Sequence, residues 1–122
     1  MIHKLEISGV HVELDAKIKK YTRLKIGKLD RFMPKRARDS AHAEIFLKER
    51  KIKTKKECTC EVVLHLPKET IRVEETTMNM FAAVDIVEAK LKNLIKKYKE
   101  THGTLGIRKR VLAKFHRAVP VE

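Results

Sequence analysis

Apolar residues recur along this chain with a period of two in some segments and of 3.6 in others, and each change of period marks a new element. Leu5 and Ile7 face one way and Lys4, Glu6 and Ser8 the other, which predicts a strand over residues 2–8. Gly9 is expected to end it, and Asp15 can cap a following helix. From residue 16 to 33, Ile18, Tyr21, Thr22, Ile26, Leu29, Phe32 and Met33 fall on one helical stripe; Gly27 lies on the outer side and Pro34 stops the helix. Residues 41–48 alternate again, with Ala41, Ala43, Ile45 and Leu47 inward and His42, Glu44 and Phe46 outward.

A polar stretch over residues 49–56 is expected to join this strand to a third. There Cys58, Cys60, Val62, Leu64 and Leu66 share a face opposite Thr59, Glu61, Val63 and His65. Residues 67–69 predict a turn and residues 70–75 a fourth strand through Ile71 and Val73. Asn79 is the expected cap of a second long helix, whose buried stripe is Met80, Val84, Val87, Leu91, Ile95 and Tyr98. The order is β-α-β-β-β-α. Since every strand has one apolar face and each helix one apolar stripe, the fold class is α+β: a two-layer sandwich with both helices on one face of a four-stranded sheet. It should occupy residues 1–100 as a single domain, followed by a basic tail over 101–122 in which Ile107, Val111, Leu112 and Phe115 have the spacing of a short helix.

Charge changes the picture from fold to partner. The 122 residues hold 29 Lys and Arg against 16 Asp and Glu, a net +13, while the 43% apolar content is that of a globular protein. Polyanions are the natural partners of such a field. The cations are clustered: Lys17, Lys19, Lys20, Arg23, Lys25, Lys28, Arg31, Lys35, Arg36 and Arg38 face the single acid Asp30, and Lys90, Lys92, Lys96, Lys97 and Lys99 run without an acid through residue 99. Further groups lie in residues 48–56 and in the tail. Glu6, Glu44, Glu61 and Glu74 instead sit on outward strand positions, so the helix layer should be positive and the open sheet face neutral to acidic. Phosphates should then meet the helices. An RNA-recognition motif, which stacks bases on sheet aromatics, does not fit, because Phe46 is the lone outward aromatic. A double-stranded-RNA-binding domain fits no better: it has no strand before its first helix, and residues 76–85 lack the lysines it carries there. No apolar run reaches the roughly 20 residues of a membrane span, and the polar, acid-containing start is not a signal peptide. Two cysteines suggest no disulfide framework, so a reducing cytoplasm is the expected location.

Two segments say more. Ile7-Ser8-Gly9-Val10-His11-Val12-Glu13-Leu14-Asp15, continuing through Ile18-Lys19 to Lys28-Leu29-Asp30-Arg31-Phe32, and Asn79-Met80-Phe81-Ala82-Ala83-Val84-Asp85, followed by Lys90-Leu91, Ile95 and Lys97, resemble the ribosome hibernation promoting factor and ribosome-associated inhibitor family. The resemblance covers residues 1 to about 100 and includes the same order of elements. It implies a stress or stationary-phase protein in the decoding cleft of the small ribosomal subunit, overlapping mRNA and the aminoacyl- and peptidyl-site tRNAs, and silencing translation by occlusion. The implied partner is the small subunit with its 16S rRNA, with no membrane, small-molecule substrate or cofactor, and a monomer off the ribosome. Position by position, the family's basic helix residues match Lys19, Lys25, Lys28, Lys90, Lys97 and Lys99; Arg23, Arg31 and Lys35 belong to the same basic run and complete the expected rRNA-binding set. Asp85 matches the motif acid and could cap backbone or orient a neighbouring base. Asn93 departs from the pattern, standing where the family often has arginine. The resemblance is to the short type, since longer members carry a further dimerisation domain. Some relatives are described as sigma-factor modulators, which makes transcription machinery the alternative partner; a membrane surface meeting the amphipathic tail is a third.

Chemistry has few candidates. Cys58-x-Cys60 points both thiols to one strand face as core residues, not to a metal knuckle, which uses a different spacing and a second pair. His42 and His65 point outward on neighbouring strands and could meet, but no cysteine or clustered carboxylate is expected to complete a metal or acid–base site. No phosphate-binding glycine loop or nucleophile motif is present. An enzyme is not expected.

Overall fold

The computed structural model describes residues 1–102, so the expected tail helix lies outside the described residues. The element order is β1 (Lys4–Val10), α1 (Ala16–Gly27), a 3-10 turn (Lys28–Phe32), α2 (Lys35–Ser40), β2 (His42–Ile52), β3 (Lys55–Leu66), β4 (Glu69–Thr77) and α3 (Met80–His102). The four strands form one sheet in the order β1-β2-β3-β4. β1 and β2 are parallel, and the long crossover that such a pair requires is supplied by α1, the 3-10 turn and α2. The other neighbours are antiparallel hairpins. This is the expected α+β sandwich, with α1 and α3 packed side by side on one face of the sheet.

The core follows from the two periods. Ala43, Ile45, Leu47, Cys60 and Val62 have no exposed surface, and they meet Ile26, Val84, Val87, Leu91 and Ile95 from the helices, equally buried. Burying each of the Val, Leu and Ile side chains among them is worth about 1.5–3 kcal/mol. Both expected caps form. Asp15 Oδ1 accepts from the Ile18 amide at 2.9 Å, and Asn79 Oδ1 accepts from the Phe81 amide at 2.8 Å, each satisfying a donor that the first helical turn leaves free. Tyr98 anchors the far part of α3 by donating its hydroxyl to the Pro67 carbonyl at 2.7 Å.

Several boundaries differ from the expectation. The first helix stops at Gly27 instead of reaching Met33, and the chain tightens into the 3-10 turn. Tightening rotates successive side chains by a different angle, so Leu29 and Met33 stay buried while Phe32 is left half-buried at the surface. Gly27 is buried, not outward: the Met1 side chain covers it and the Ile2 amide donates to its carbonyl at 3.1 Å. Helix α2 was not legible, because six residues with Ala37 as their one buried member display no period. Gly9 does not end β1; it pairs opposite Leu47 and lets the chain fold back tightly past Val10.

The polar stretch over 49–56 is not a loop. β2 and β3 stay paired out to Ile52 and Lys55, closed by Lys53-Thr54 with Lys53 at φ 55°, a left-handed conformation. β1 has already ended opposite Lys48, and β4 ends opposite Cys58, so this hairpin projects beyond its neighbours. Its lysines therefore ride on a defined ribbon at the end of the molecule where α1 and α3 begin. β4 also runs longer than expected, from Glu69 to Thr77.

Two kinds of substitution test this packing. Thr22 is fully buried and its hydroxyl finds no partner among the described residues. Removing an unsatisfied buried hydroxyl while keeping the shape should stabilise, so Thr22→Val is expected to gain about 1 kcal/mol, read as a Tm rise of roughly 4–8 °C. A Cβ at Gly9 would lie 2.7 Å from the Val12 carbonyl oxygen, whereas one at Gly27 meets only the mobile end of Met1. Gly9→Ala should cost about 1–3 kcal/mol in a denaturant titration, and Gly27→Ala should be neutral or stabilise by up to about 1 kcal/mol; equal losses at both glycines would contradict the packing described.

Candidate nucleic-acid interface

Two helices lying side by side leave a seam between them, and the seam is where their side chains meet. At the end where the helices begin, Tyr21 of α1 packs edge-on against Phe81 of α3, ring centroids 5.0 Å apart. The Tyr21 hydroxyl donates a short hydrogen bond to Asp85 Oδ1. That bond, with burial and the Asp85 charge behind it, pushes the phenol up to about 12, so Tyr21 remains a donor at any physiological pH. Lys25 lies over the Tyr21 ring at 5.5 Å with its ammonium 3.8 Å from Asp85. The motif acid thus orients a tyrosine and a lysine across the seam.

Farther along, the polarity of the seam changes. The Phe32 ring, turned outward by the 3-10 turn, gathers three cations: the Arg31 guanidinium at 4.9 Å from its centroid, Lys92 Nζ at 5.0 Å and Lys96 Nζ at 5.5 Å. Each contact is favourable by about 0.5–1 kcal/mol at an exposed site, which offsets part of the repulsion among three like charges. Lys99 follows Lys92 by seven residues and so continues the same side of α3.

The nine residues expected to bind rRNA do not share one surface. Lys19 and Arg23 are exposed on the side of α1 away from Tyr21, and Lys28 lies at the helix end. Arg31 is in the seam, Lys35 opens α2, and Lys25 is half-buried and engaged by Asp85. On α3, Lys99 lies toward the seam. Lys90 is turned the other way, onto Glu75 of β4, and Lys97, seven residues on, shares its flank. Lys92 and Lys96 were missed as site residues. Their i, i+4 spacing on α3 is visible in the sequence, but the helical stripe places Phe32 in the core and so hides the ring that draws them together.

The open face of the sheet is closer to neutral than to acidic. Lys48 Nζ lies 3.1 Å from Glu61 and 3.7 Å from Glu74, and Arg72 Nε is 3.6 Å from Glu61. The hydrogen bond to Glu61 is the main reason the Lys48 ammonium is held above its ordinary value. Val63 is outward by register yet buried, with Glu44 and Arg72 opposite it on the two adjacent strands. Outward His42 and His65 do stand opposite each other, and Glu44 joins them. Cys58 and Cys60 are buried free thiols; burial raises both and pushes Cys60 up to about 12, far from a reactive thiolate. Among the described residues no helix is long and apolar enough to cross a membrane.

Known proteins share this fold. The family described as Sigma 54 modulation protein / S30EA ribosomal protein matches residues 5–102. A ribosome hibernation promotion factor from Lactococcus lactis subsp. cremoris (strain MG1363) is 35% identical over 96 residues, covering 79% of this chain and 49% of that protein. One from Staphylococcus aureus (strain COL) is 29% identical over 96 residues, covering 79% and 48%. The chain spans about half the length of these curated relatives. Among solved structures, the Thermus thermophilus Protein Y N-terminal domain superposes with a TM-score of 0.65 at 24% identity, covering 76% of this chain and 94% of that one. A ribosomal subunit interface protein from Coxiella burnetii gives 0.64 at 24% identity, covering 79% and 97%. These two share the fold. With nearly the whole described domain matched, the chain belongs to the Sigma 54 modulation protein / S30EA ribosomal protein family.

Proposed function

We propose that this protein is a ribosome hibernation factor: it binds 16S rRNA in the decoding cleft of the small subunit, occludes mRNA and the aminoacyl- and peptidyl-site tRNAs, and silences translation under stress or in stationary phase. The observation that carries the reading is the cationic cluster on Phe32, where Arg31, Lys92 and Lys96 converge at the junction of two helices. Such convergence is unfavourable in isolation and becomes favourable against a phosphate backbone, whose contacts release condensed counterions. Family membership and the names borne by its relatives support the ribosome as the source of that backbone. The mechanism is binding and steric exclusion. The side chains of the seam present donors and charge, and none is arranged for bond-breaking.

The rRNA contacts belong to this proposal residue by residue. Arg31, Lys92, Lys96, Lys99 and Lys28 would line the backbone along the seam, Lys35 would extend the track over α2, and Lys19 and Arg23 would reach it from the β1 side. Lys90 and Lys97 would serve a second strand of RNA along the β4 flank. Lys25, held by Asp85, would contribute its field more than a direct contact.

Charge reversal separates these surfaces. The Arg31→Glu/Lys92→Glu/Lys96→Glu variant should abolish co-sedimentation with small subunits and lower the salt slope of binding by about 2 to 3, with an unchanged circular dichroism spectrum. Reversal at Lys28, Lys90 and Lys97 should weaken binding less, because two of the three lie on the other flank. Normal co-sedimentation of the first variant would remove the seam from the interface. On sucrose gradients of an in vitro translation reaction, added protein is expected to migrate with the small subunit and lower peptide synthesis, and prior loading of mRNA and tRNA should exclude it. Undiminished synthesis at saturating protein would defeat the silencing reading.

A further inference from the structure

On the sheet face opposite the helices, His42 of β2 stands directly across from His65 of β3, ring centroids 5.4 Å apart. Glu44, two residues along β2, points to the same face, and its Oε1 lies 2.7 Å from His65 Nε2. One ligand atom from each of the three falls within 4.8 Å of the others. We propose that His42, His65 and Glu44 form a binding site for a divalent transition-metal ion of the Zn2+ class.

The donor set is the first argument. Two imidazoles and one carboxylate suit Zn2+ and its neighbours, whereas Mg2+ and Ca2+ prefer all-oxygen shells. Bonds of about 2.0–2.1 Å to a tetrahedral ion hold ligand atoms roughly 3.3 Å apart, so the spread of up to 4.8 Å seen here is within reach of rotations of the three half-buried side chains.

The scaffold is the second argument. Two adjacent strands fix the Cα positions of all three residues, so little is left to be ordered on binding. A simple hydrogen bond accounts for Glu44 and His65 alone. It gives His42 nothing, for that imidazole makes no hydrogen bond or ion pair with any described residue and only stacks on its neighbour. A metal ion would engage all three.

The surroundings are compatible. The register places Lys4 beside His42 and Glu6 beside Glu44 on β1, and Thr70 beside His65 on β4, so one cation and one acid flank the set and nothing blocks the solvent side. His65 and Glu44 are 42% and 35% exposed, which leaves coordination positions open to water or to a ligand from another molecule. The site lies on the face away from the helical seam, so it does not depend on the ribosome reading.

The test uses the full 122-residue chain, Zn2+ as the probe and Mg2+ as the control. Titration followed by imidazole proton and nitrogen NMR should shift the His42 and His65 signals at one equivalent of Zn2+, with no response to Mg2+. His65→Gln, His42→Asn and Glu44→Gln, all at half-buried sheet positions outside the core, should each weaken Zn2+ by about 100-fold, since even the outer partners of a metal site cost about 10- to 100-fold. Their amide spectra should otherwise match the parent, which separates ligand loss from misfolding. Co2+ should give visible d–d bands without a thiolate charge-transfer band. Shifts confined to His3, His11, His102 or His116, a thiolate band from Cys58 or Cys60, or unchanged Zn2+ affinity in the three variants would each overturn the assignment.

Discussion

A strand that buries every second residue must present the intervening ones to the opposite side, and four strands in register do this together. The apolar layer of Ala43, Ile45, Leu47, Cys60, Val62 and Leu64 is therefore also the reason Glu44, Glu61, His65 and Glu74 share the other surface. Helices α1 and α3 close the layer from one side only. Their outer surfaces are then a place where a large excess of lysine and arginine can spread without lying beside the acids of the sheet. The uneven distribution of sign across the molecule is a product of this packing more than of any pairwise attraction.

Within the helical layer, aromatic rings decide where charge is held and where it is spent. Tyr21 and Phe81 stand at one end of the seam, and Asp85 there consumes the charge of Lys25. Phe32 stands farther along, and among the described residues its three cations meet the ring with no carboxylate pairing them. A phosphate backbone laid along the seam would gain most at Phe32. The switch depends on the early end of α1: had the helix continued to Met33, Phe32 would have turned inward and Arg31 away from α3.

Much of the fold was legible because periodicity reports burial directly. The inward faces of β2 and β3, both N-caps at Asp15 and Asn79, and the buried stripe of α3 could all be read from residue type and spacing. What escaped had no period to display. Helix α2 is a single short turn-and-a-half of basic residues around Ala37, and the change from α to 3-10 winding at Gly27 leaves the apolar sequence intact while redirecting Phe32. The candidate site suffered from the same rotation, since Lys92 and Lys96 acquire their meaning only from a ring on another element. Lys90 and Lys97, which the family pattern groups with the other basic helix residues, face β4 because the helix turns them there. The His42–Glu44–His65 set was half visible: the histidines could be paired from strand alternation, but joining Glu44 to them required the register.

Among the described residues no strand pairs with the hairpin beyond Lys48 and Cys58 on either side, so its outer amides and carbonyls lack ladder partners there. Bare edges invite another chain to add itself and continue the sheet, the first step towards fibrous aggregates. Here Arg50, Lys51, Lys53, Lys55 and Lys56 crowd that stretch, and an identical ribbon approaching it would meet its own charge. The lysine-rich arm is thereby kept from polymerising with copies of itself, while an anionic guest remains welcome on the same edge.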